Sequence, residues 1–237
     1  MIAMLASVRT VDEALIAAAA GADFIDLKEP RSGALGGLRP ARIGEIVGAL
    51  HQAHPGLPIS ATIGDHAADE VDAIMTRVAE VGDCGVDYVK VGIAGSSPRA
   101  RNALLSRLAA APWAVVPVFI ADRGLDFEAI EAACGLPFPA LMIDTEDKGG
   151  GSLFDCVPAT TLAQFVHRVR AAGKLAGLSG ALRLHHLPQL LALAPDFAGF
   201  RGALCGGTRT GALERDKVRG VAVALRGEAQ AVQICAA

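Results

Sequence analysis

The stretch IAMLASVRTVDEALIAAAAGADFIDLKEP, residues 2–30, contains two short apolar runs on either side of an alanine-rich segment. The runs Ile2–Ala6 and Asp23–Leu27 have the length and composition of buried β-strands. The segment between them is long enough for a helix and has the spacing of an amphipathic one. This order predicts a unit of two parallel strands joined by a helix.

The same alternation continues along the rest of the chain. Six more strands are predicted at Ile59–Thr62, Tyr88–Val91, Val115–Ile120, Ala140–Ile143, Leu175–Ser179 and Gly199–Arg201. Eight parallel strands with short connections close into a barrel more readily than they remain an open sheet, and no GxGxxG motif follows the first strand. We therefore predict an α/β protein of the (β/α)8 TIM-barrel type. Residues 1–237 form one domain in this prediction, and residues 226–237 are a loosely tied end.

Composition narrows the class of protein. Of 237 residues, 52% are hydrophobic and only 4% are aromatic, which is typical of a core of Ala, Val, Leu and Ile. The net charge of −3 and the dispersed Lys and Arg residues argue against nucleic-acid and membrane partners. No basic segment precedes an apolar run at the N-terminus, so a cytoplasmic protein is expected. Five cysteines without a CxxC pair argue against a disulfide framework or structural zinc.

Reactive side chains follow the even-numbered predicted strands. In a barrel of this type, catalytic groups lie at the carboxyl ends of the strands. Strand two ends in Asp26 and Lys28, strand four in Lys90, and strand six in Asp144 followed by Lys148. Because side chains alternate along a strand, Asp26 and Lys28 share one side, and both strand lysines can point inward. A single lysine here could equally pair with a carboxylate at the rim, but two on alternate strands favour a catalytic site.

Two lysines in one partly dehydrated site predict Schiff-base chemistry. Each positive charge disfavours the other and burial disfavours both, so an amine in such a site becomes neutral and nucleophilic. It can attack an aldehyde or ketone, and the resulting iminium makes the neighbouring carbon acidic, with Asp144 as the proton shuttle. This is aldolase-type chemistry, for which we expect neither a metal nor another cofactor.

The predicted loops after strands seven and eight have the composition of a phosphate site. Glycine lets backbone N–H groups approach a phosphate, and the last two units of such a barrel commonly hold one. Of the two arginines there, Arg201 is expected to contribute more than Arg209, through a forked guanidinium contact. The residues predicted to bind phosphate are Ser179, Gly180, Arg201, Gly202, Gly206, Gly207, Thr208 and Arg209.

A series of motifs at these strand ends spans nearly the whole chain. They are Asp26-Leu27-Lys28-Glu29-Pro30, Ser60-Ala61-Thr62-Ile63-Gly64-Asp65, Asp87-Tyr88-Val89-Lys90-Val91-Gly92, Met142-Ile143-Asp144-Thr145 with Lys148, Ser152-Leu153-Phe154-Asp155, Leu178-Ser179-Gly180 and Arg201-Gly202-Ala203 with Cys205. In this order the set resembles the (5-formylfuran-3-yl)methyl phosphate synthase family. The resemblance implies condensation of two glyceraldehyde 3-phosphate molecules into the furan aldehyde phosphate, with loss of phosphate and water, in methanofuran biosynthesis and one-carbon metabolism. It also implies that Lys28 forms the Schiff base, while Lys90, Asp144 and Lys148 act as acid, base or charge-stabilising partners.

Other functions share these features. A class I aldolase or a sugar-phosphate epimerase would have the same fold, phosphate loops and lysines, but an aldolase would give an open-chain sugar phosphate. A non-catalytic barrel that binds a phosphorylated metabolite would show binding without turnover. In each case the partner is a small molecule, and the alanine-rich outer helices favour a homo-oligomer.

Overall fold

Eight parallel strands close into a barrel in the residues that the computed structural model describes, which are 1–33, 35–67, 69–93, 97–146 and 151–227. The strands pair in sequence order, and β8 returns to pair with β1. They are β1 Ala3–Val8, β2 Phe24–Leu27, β3 Ile59–Thr62, β4 Tyr88–Ile93, β5 Val115–Ile120, β6 Ala140–Asp144, β7 Leu175–Leu178 and β8 Phe197–Phe200. The predicted (β/α)8 barrel is therefore confirmed.

Helices lie in the connections between successive strands, and one more follows β8. They are α1 Val11–Ala19, α2 Pro40–Ala53, α3 Val71–Gly82, α4 Pro98–Ala109, α5 Phe127–Cys134, α6 Leu153–Cys156, α7 Ala159–Ala171, α8 Leu187–Leu193 and α9 Arg215–Leu225. Each longer helix buries residues three or four apart, such as Ile43, Ile46, Val47 and Leu50 of α2, so one face packs on the barrel. No helix in the described ranges has the length and hydropathy that a membrane crossing needs.

Three strands begin with an aromatic residue that directly follows an aspartate, at 23–24, 87–88 and 196–197. Each carboxylate accepts an N–H near the start of the preceding strand at 2.8 Å. The aromatic side chains fill the barrel interior at this end, where the rings of Phe24 and Phe197 lie 5.9 Å apart. The amino end of the barrel is thus held by carboxylate–backbone bonds and aromatic packing, as is typical of the stabilising face of this fold.

Six strands differ from their predicted bounds by one or two residues, and the shifts of β8 and β1 are explained by pairing. Strand eight was predicted at Gly199–Arg201. It begins at Phe197, because Phe197 pairs with Ala3 of β1, and it ends at Phe200. Strand one runs past Ala6 because its pairing with β2 continues through Ser7. The second shift places the Ser7 side chain inside the barrel, beside the predicted catalytic residues.

Gly177 of β7 provides a test of the packing inside the barrel. A Cβ at this position would lie 2.2 Å from Cζ of the buried Phe197 ring. We expect Gly177→Ala to lower the free energy of unfolding by about 1–3 kcal/mol, because the ring must move in a filled interior. Gly44→Ala in α2 is the control: Gly44 is exposed with open space around its Cβ position, so a gain of about 0.5–1 kcal/mol is expected. Urea unfolding measures both, and unchanged stability of Gly177→Ala would contradict close packing.

Candidate active site

A cavity of about 330 Å³ opens at the carboxyl ends of the strands. Four of the residues predicted to be catalytic line it: Asp26 and Lys28 from the β2 end, Lys90 from β4 and Asp144 from β6. All four are buried, with 6% or less of their surface exposed. The structure therefore brings together, from three alternate strands, the side chains that strand periodicity placed on the inside.

The deeper ion pair joins Lys90 to Asp26. The Nζ of Lys90 lies 2.9 Å from Oδ1 of Asp26. Oδ1 also accepts the hydroxyl of Ser60 at 2.8 Å, and Oδ2 accepts the hydroxyl of Ser7 at 3.0 Å. These contacts hold the Asp26 carboxylate and the Lys90 amine in fixed positions below the cavity.

Charge pairing and burial shift both groups. Burial alone would raise the pKa of Asp26, but the charges of Lys90 and Lys28 and the hydrogen bonds from Lys90 and Ser60 together lower it below 3.8. Burial lowers the pKa of Lys90, the attraction of Asp26 opposes this, and the charge of Lys28 lowers it further. The positive charge of Lys28 therefore disfavours the charged form of Lys90.

The upper ion pair joins Lys28 to Asp144. Nζ of Lys28 lies 3.4 Å from Oδ2 of Asp144, a longer contact than that in the deeper pair. Oδ1 of Asp144 accepts the N–H of Thr145 at 2.8 Å, which orients the carboxylate. An amine at the strand end, held by a long contact to a carboxylate, can reach a carbonyl group in the cavity and pass a proton to that carboxylate.

Lys148, the remaining residue predicted to be catalytic, lies outside the residues that the structure describes, and its role stays a prediction. Within the described ranges, no group of three or more His, Cys, Asp or Glu side chains is arranged to hold a metal ion.

Seven of the eight predicted phosphate-binding residues line the cavity. They are Ser179, Gly180, Arg201, Gly202, Gly207, Thr208 and Arg209. Gly206 does not line it: its N–H donates to the carbonyl of Ala212, and a side chain there would meet the carboxylate of Glu214. In the described part of the chain, the N–H groups of Gly180 and Gly202 have no protein acceptor. The loops after β7 and β8 therefore offer backbone donors to the cavity.

Arg201 is engaged differently from the prediction. Its Nε donates to the carbonyl of Arg209, and Nη1 and Nη2 donate to the carbonyls of Ser7 and Gly211. The same two nitrogens donate to both carboxylate oxygens of Glu13, at 2.6 and 3.0 Å. A guanidinium has five N–H donors, and all five are used here. The expected direct contact between Arg201 and phosphate therefore gives way to a clamp that holds the loop 202–211 to β1 and α1.

This clamp predicts a specific effect of Glu13→Gln. The change removes the charge that orients Arg201, so the loop should loosen and inorganic phosphate should bind at least about fivefold more weakly, equivalent to about 1 kcal/mol. Asp12→Asn removes one charge from the same helix turn at an exposed site and should have no effect. Calorimetric titration measures both. Were Arg201 a phosphate ligand, Glu13→Gln would free its guanidinium, and phosphate would bind as tightly or more tightly.

The sequence analysis missed three residues of the site. Ser7 lies one residue past the predicted end of strand one. Glu13 lies in the first turn of α1. Acidic residues at such a position are exposed in most proteins, so the local sequence does not indicate that Glu13 is buried. Arg183 lines the cavity from the loop after β7, with its guanidinium against Gly202. Its position four residues after Ser179, in a predicted phosphate loop, was the available signal.

The fold and this site define the class of protein, a (β/α)8 barrel with buried lysine–carboxylate pairs at the carboxyl ends of its strands. Phosphoribosyl anthranilate isomerase from Thermus thermophilus superposes with a TM-score of 0.64 at 17% identity, over 96% of this chain and 99% of that one. At this identity the likeness shows the fold alone.

Sequence comparison identifies the family. Residues 4–222 match the model of the 4-HFC-P synthase family. The (5-formylfuran-3-yl)methyl phosphate synthase of Methanosarcina mazei is 30% identical over 227 residues, which cover 91% of this chain and 95% of that protein. A Methylorubrum extorquens protein, which carries the same synthase name with a provisional qualifier, is 39% identical over 94% of this chain and 91% of its own length. The chain belongs to the (5-formylfuran-3-yl)methyl phosphate synthase family of enzymes, as its motifs indicated.

Proposed function

We propose that this protein condenses two molecules of glyceraldehyde 3-phosphate into (5-formylfuran-3-yl)methyl phosphate, with loss of one phosphate and water, for methanofuran biosynthesis. Family membership supports the product. The observation that carries the reaction type is the stacked set of ion pairs, Lys28–Asp144 above Lys90–Asp26, at the base of the cavity. An amine can activate one aldehyde for carbon–carbon bond formation with another, and this arrangement offers an amine.

Lys28 is the proposed nucleophile because of its position and contacts. The Lys90 amine is held at 2.9 Å by a carboxylate that also binds two serine hydroxyls, so moving it would leave Asp26 buried without its charged partner. The Lys28 amine has a longer contact, 3.4 Å, to a carboxylate at the strand end. It can leave that contact for a substrate carbonyl at a lower energetic penalty.

The geometry supports a sequence of proton transfers centred on Asp144. Asp144 takes a proton as the Lys28 amine adds to the aldehyde carbon, and returns it as water leaves to form the iminium. The iminium withdraws electrons, so a carboxylate can remove the proton from the neighbouring carbon, which then attacks the aldehyde of the second triose. Lys90 and Asp26 keep the base of the cavity fixed during these steps.

The loops after β7 and β8 supply the proposed phosphate contacts. Gly180 and Gly202 line the cavity, and their N–H groups have no protein acceptor in the described residues. Oriented backbone N–H groups bind phosphate in many barrels of this type. Such contacts would hold a triose phosphate with its carbonyl directed toward the base of the cavity.

Product analysis tests the proposal. Pure protein incubated with glyceraldehyde 3-phosphate should form a conjugated aldehyde that absorbs in the near ultraviolet, and should release inorganic phosphate in equal amount. Mass spectrometry identifies the product. The surface variant Arg219→Ala should behave like the wild type, since Arg219 is exposed on α9. An open-chain sugar phosphate would indicate an aldolase, and binding without turnover would indicate a non-catalytic barrel.

A further inference from the structure

Cations around the cavity divide into paired and unpaired groups. Three of them form ion pairs with carboxylates: Lys28 with Asp144, Lys90 with Asp26, and Arg201 with Glu13. Two more guanidinium groups line the cavity, those of Arg183 and Arg209, and neither forms an ion pair within the described residues. Among the residues that the structure describes, these pairings leave the charges of Arg183 and Arg209 without a carboxylate partner.

The two unpaired arginines lie in different sectors of the barrel mouth. Arg183 follows β7, and its guanidinium rests on the backbone of Gly202 after β8, where a Cβ would be 2.5 Å from Nη1. Arg209 comes from the loop after β8 and reaches the loop after β2, where Nη2 donates to the carbonyl of Gly33 at 3.0 Å. The Arg183 guanidinium thus lies beside the loop after β8, and that of Arg209 contacts the loop after β2, with β1 between those two strands in the barrel.

Each arginine keeps donors for an anion. Arg209 uses one N–H on Gly33, and Arg183 makes no side-chain hydrogen bond within the described residues. Burial lowers the pKa of Arg209 below its usual value, which the negative charge of Asp144 opposes. A phosphate at this position would compensate the charge of this half-buried group. Guanidinium groups bind phosphate through two parallel N–H donors, and such contacts are about twice as strong as neutral hydrogen bonds.

We infer that Arg183 and Arg209 mark two separate phosphate subsites, one for each of two triose phosphates held in the same cavity. This inference rests on the proposed function, which requires two phosphorylated substrates at once. The Arg209 subsite adjoins the loop after β2, the strand that carries Lys28, so it holds the triose that forms the imine. The Arg183 subsite, with the Gly202 backbone, holds the triose that is attacked.

Inorganic phosphate titrated into the full-length protein tests the stoichiometry without turnover. The wild type should bind about two phosphates per chain, and Arg183→Ala and Arg209→Ala should each bind about one. Arg219→Ala, an exposed arginine of α9, should retain both. Binding of one phosphate or none by the wild type would overturn the inference, as would loss of all binding in either single variant.

Gly202→Ala gives a second, independent test of the Arg183 subsite. The new methyl group would meet the end of a flexible side chain, so the protein should fold while the Arg183 guanidinium shifts away. Phosphate should then be lost from one subsite only, as in Arg183→Ala. Two phosphates bound with wild-type affinity would show that the Arg183 guanidinium is not a ligand.

Kinetics separate this inference from the proposed function. If the subsites are separate, the single variants should each lower the rate at low substrate about tenfold, and the double variant about a hundredfold, because distant sites add. If both arginines bound one phosphate, the double variant would be little worse than the poorer single variant. Furan formation with only one phosphate site would overturn the subsites alone, whereas two phosphate sites without furan formation would overturn the proposed reaction alone.

Discussion

Lys28→Arg is expected to lower turnover by on the order of 10³-fold or more, the scale seen when a covalent nucleophile is removed from other enzymes. Arginine keeps the positive charge and can still pair with Asp144, but its guanidinium does not form an imine. The Lys28 amine lies 3.4 Å from the Asp144 carboxylate in a buried ion pair. The fold should persist because the guanidinium can take the place of the amine in this pair. The rate of furan aldehyde formation, followed by near-ultraviolet absorbance, measures the loss.

Borohydride trapping gives the matching positive result in the wild type. Reduction in the presence of glyceraldehyde 3-phosphate should convert the imine into a stable secondary amine, and peptide mass spectrometry should locate it on Lys28. Lys28→Arg should show no adduct. An adduct on Lys90 or Lys148 would keep the reaction class and reassign the nucleophile, and the absence of any lysine adduct would contradict the Schiff-base mechanism.

Asp26→Asn is expected to give the largest loss of stability, about 3–5 kcal/mol in the free energy of unfolding. The change leaves the Lys90 amine buried, at 3% exposure, without its charged partner at 2.9 Å. Asparagine has the same shape, so the loss reports charge and not volume. Urea unfolding measures the change as a shift of the midpoint at constant slope.

The double variant Asp26→Asn with Lys90→Met is the control for this prediction. It removes both charges, so most of the lost stability should return. A loss below about 1 kcal/mol in the single variant would show that the pair contributes little to the free energy of unfolding.

The difference in stability between the wild type and Asp26→Asn should also depend on pH. Because the folded-state pKa of Asp26 is lowered, its contribution is fully present above about 3.8 and is lost as the pH falls through that lowered value.

The sequence was sufficient for the architecture and for the base of the site. Strand and helix periods recur along the chain, and each depends on neighbouring residues, so the barrel and the even-strand positions of Asp26, Lys28, Lys90 and Asp144 could be predicted locally. The bounds of β8 were shifted, because the pairing of Phe197 with Ala3 decides where that strand begins. This pairing joins the first and last strands of the barrel, so no local sequence pattern indicates it.

The sequence by itself determined that the side chains at the ends of the even-numbered strands line the cavity, because side-chain direction follows from a residue's place in its own strand. It did not determine which charges neutralise one another. Arg201 had the sequence context of a phosphate ligand, yet its guanidinium is bound by Glu13, 188 residues away in the chain. Only closure of β8 against β1 brings these two residues together. An ion pair depends on distance in space, so the tertiary structure alone decided that Arg201 is paired and that Arg183 and Arg209 form no ion pair in the described part of the chain.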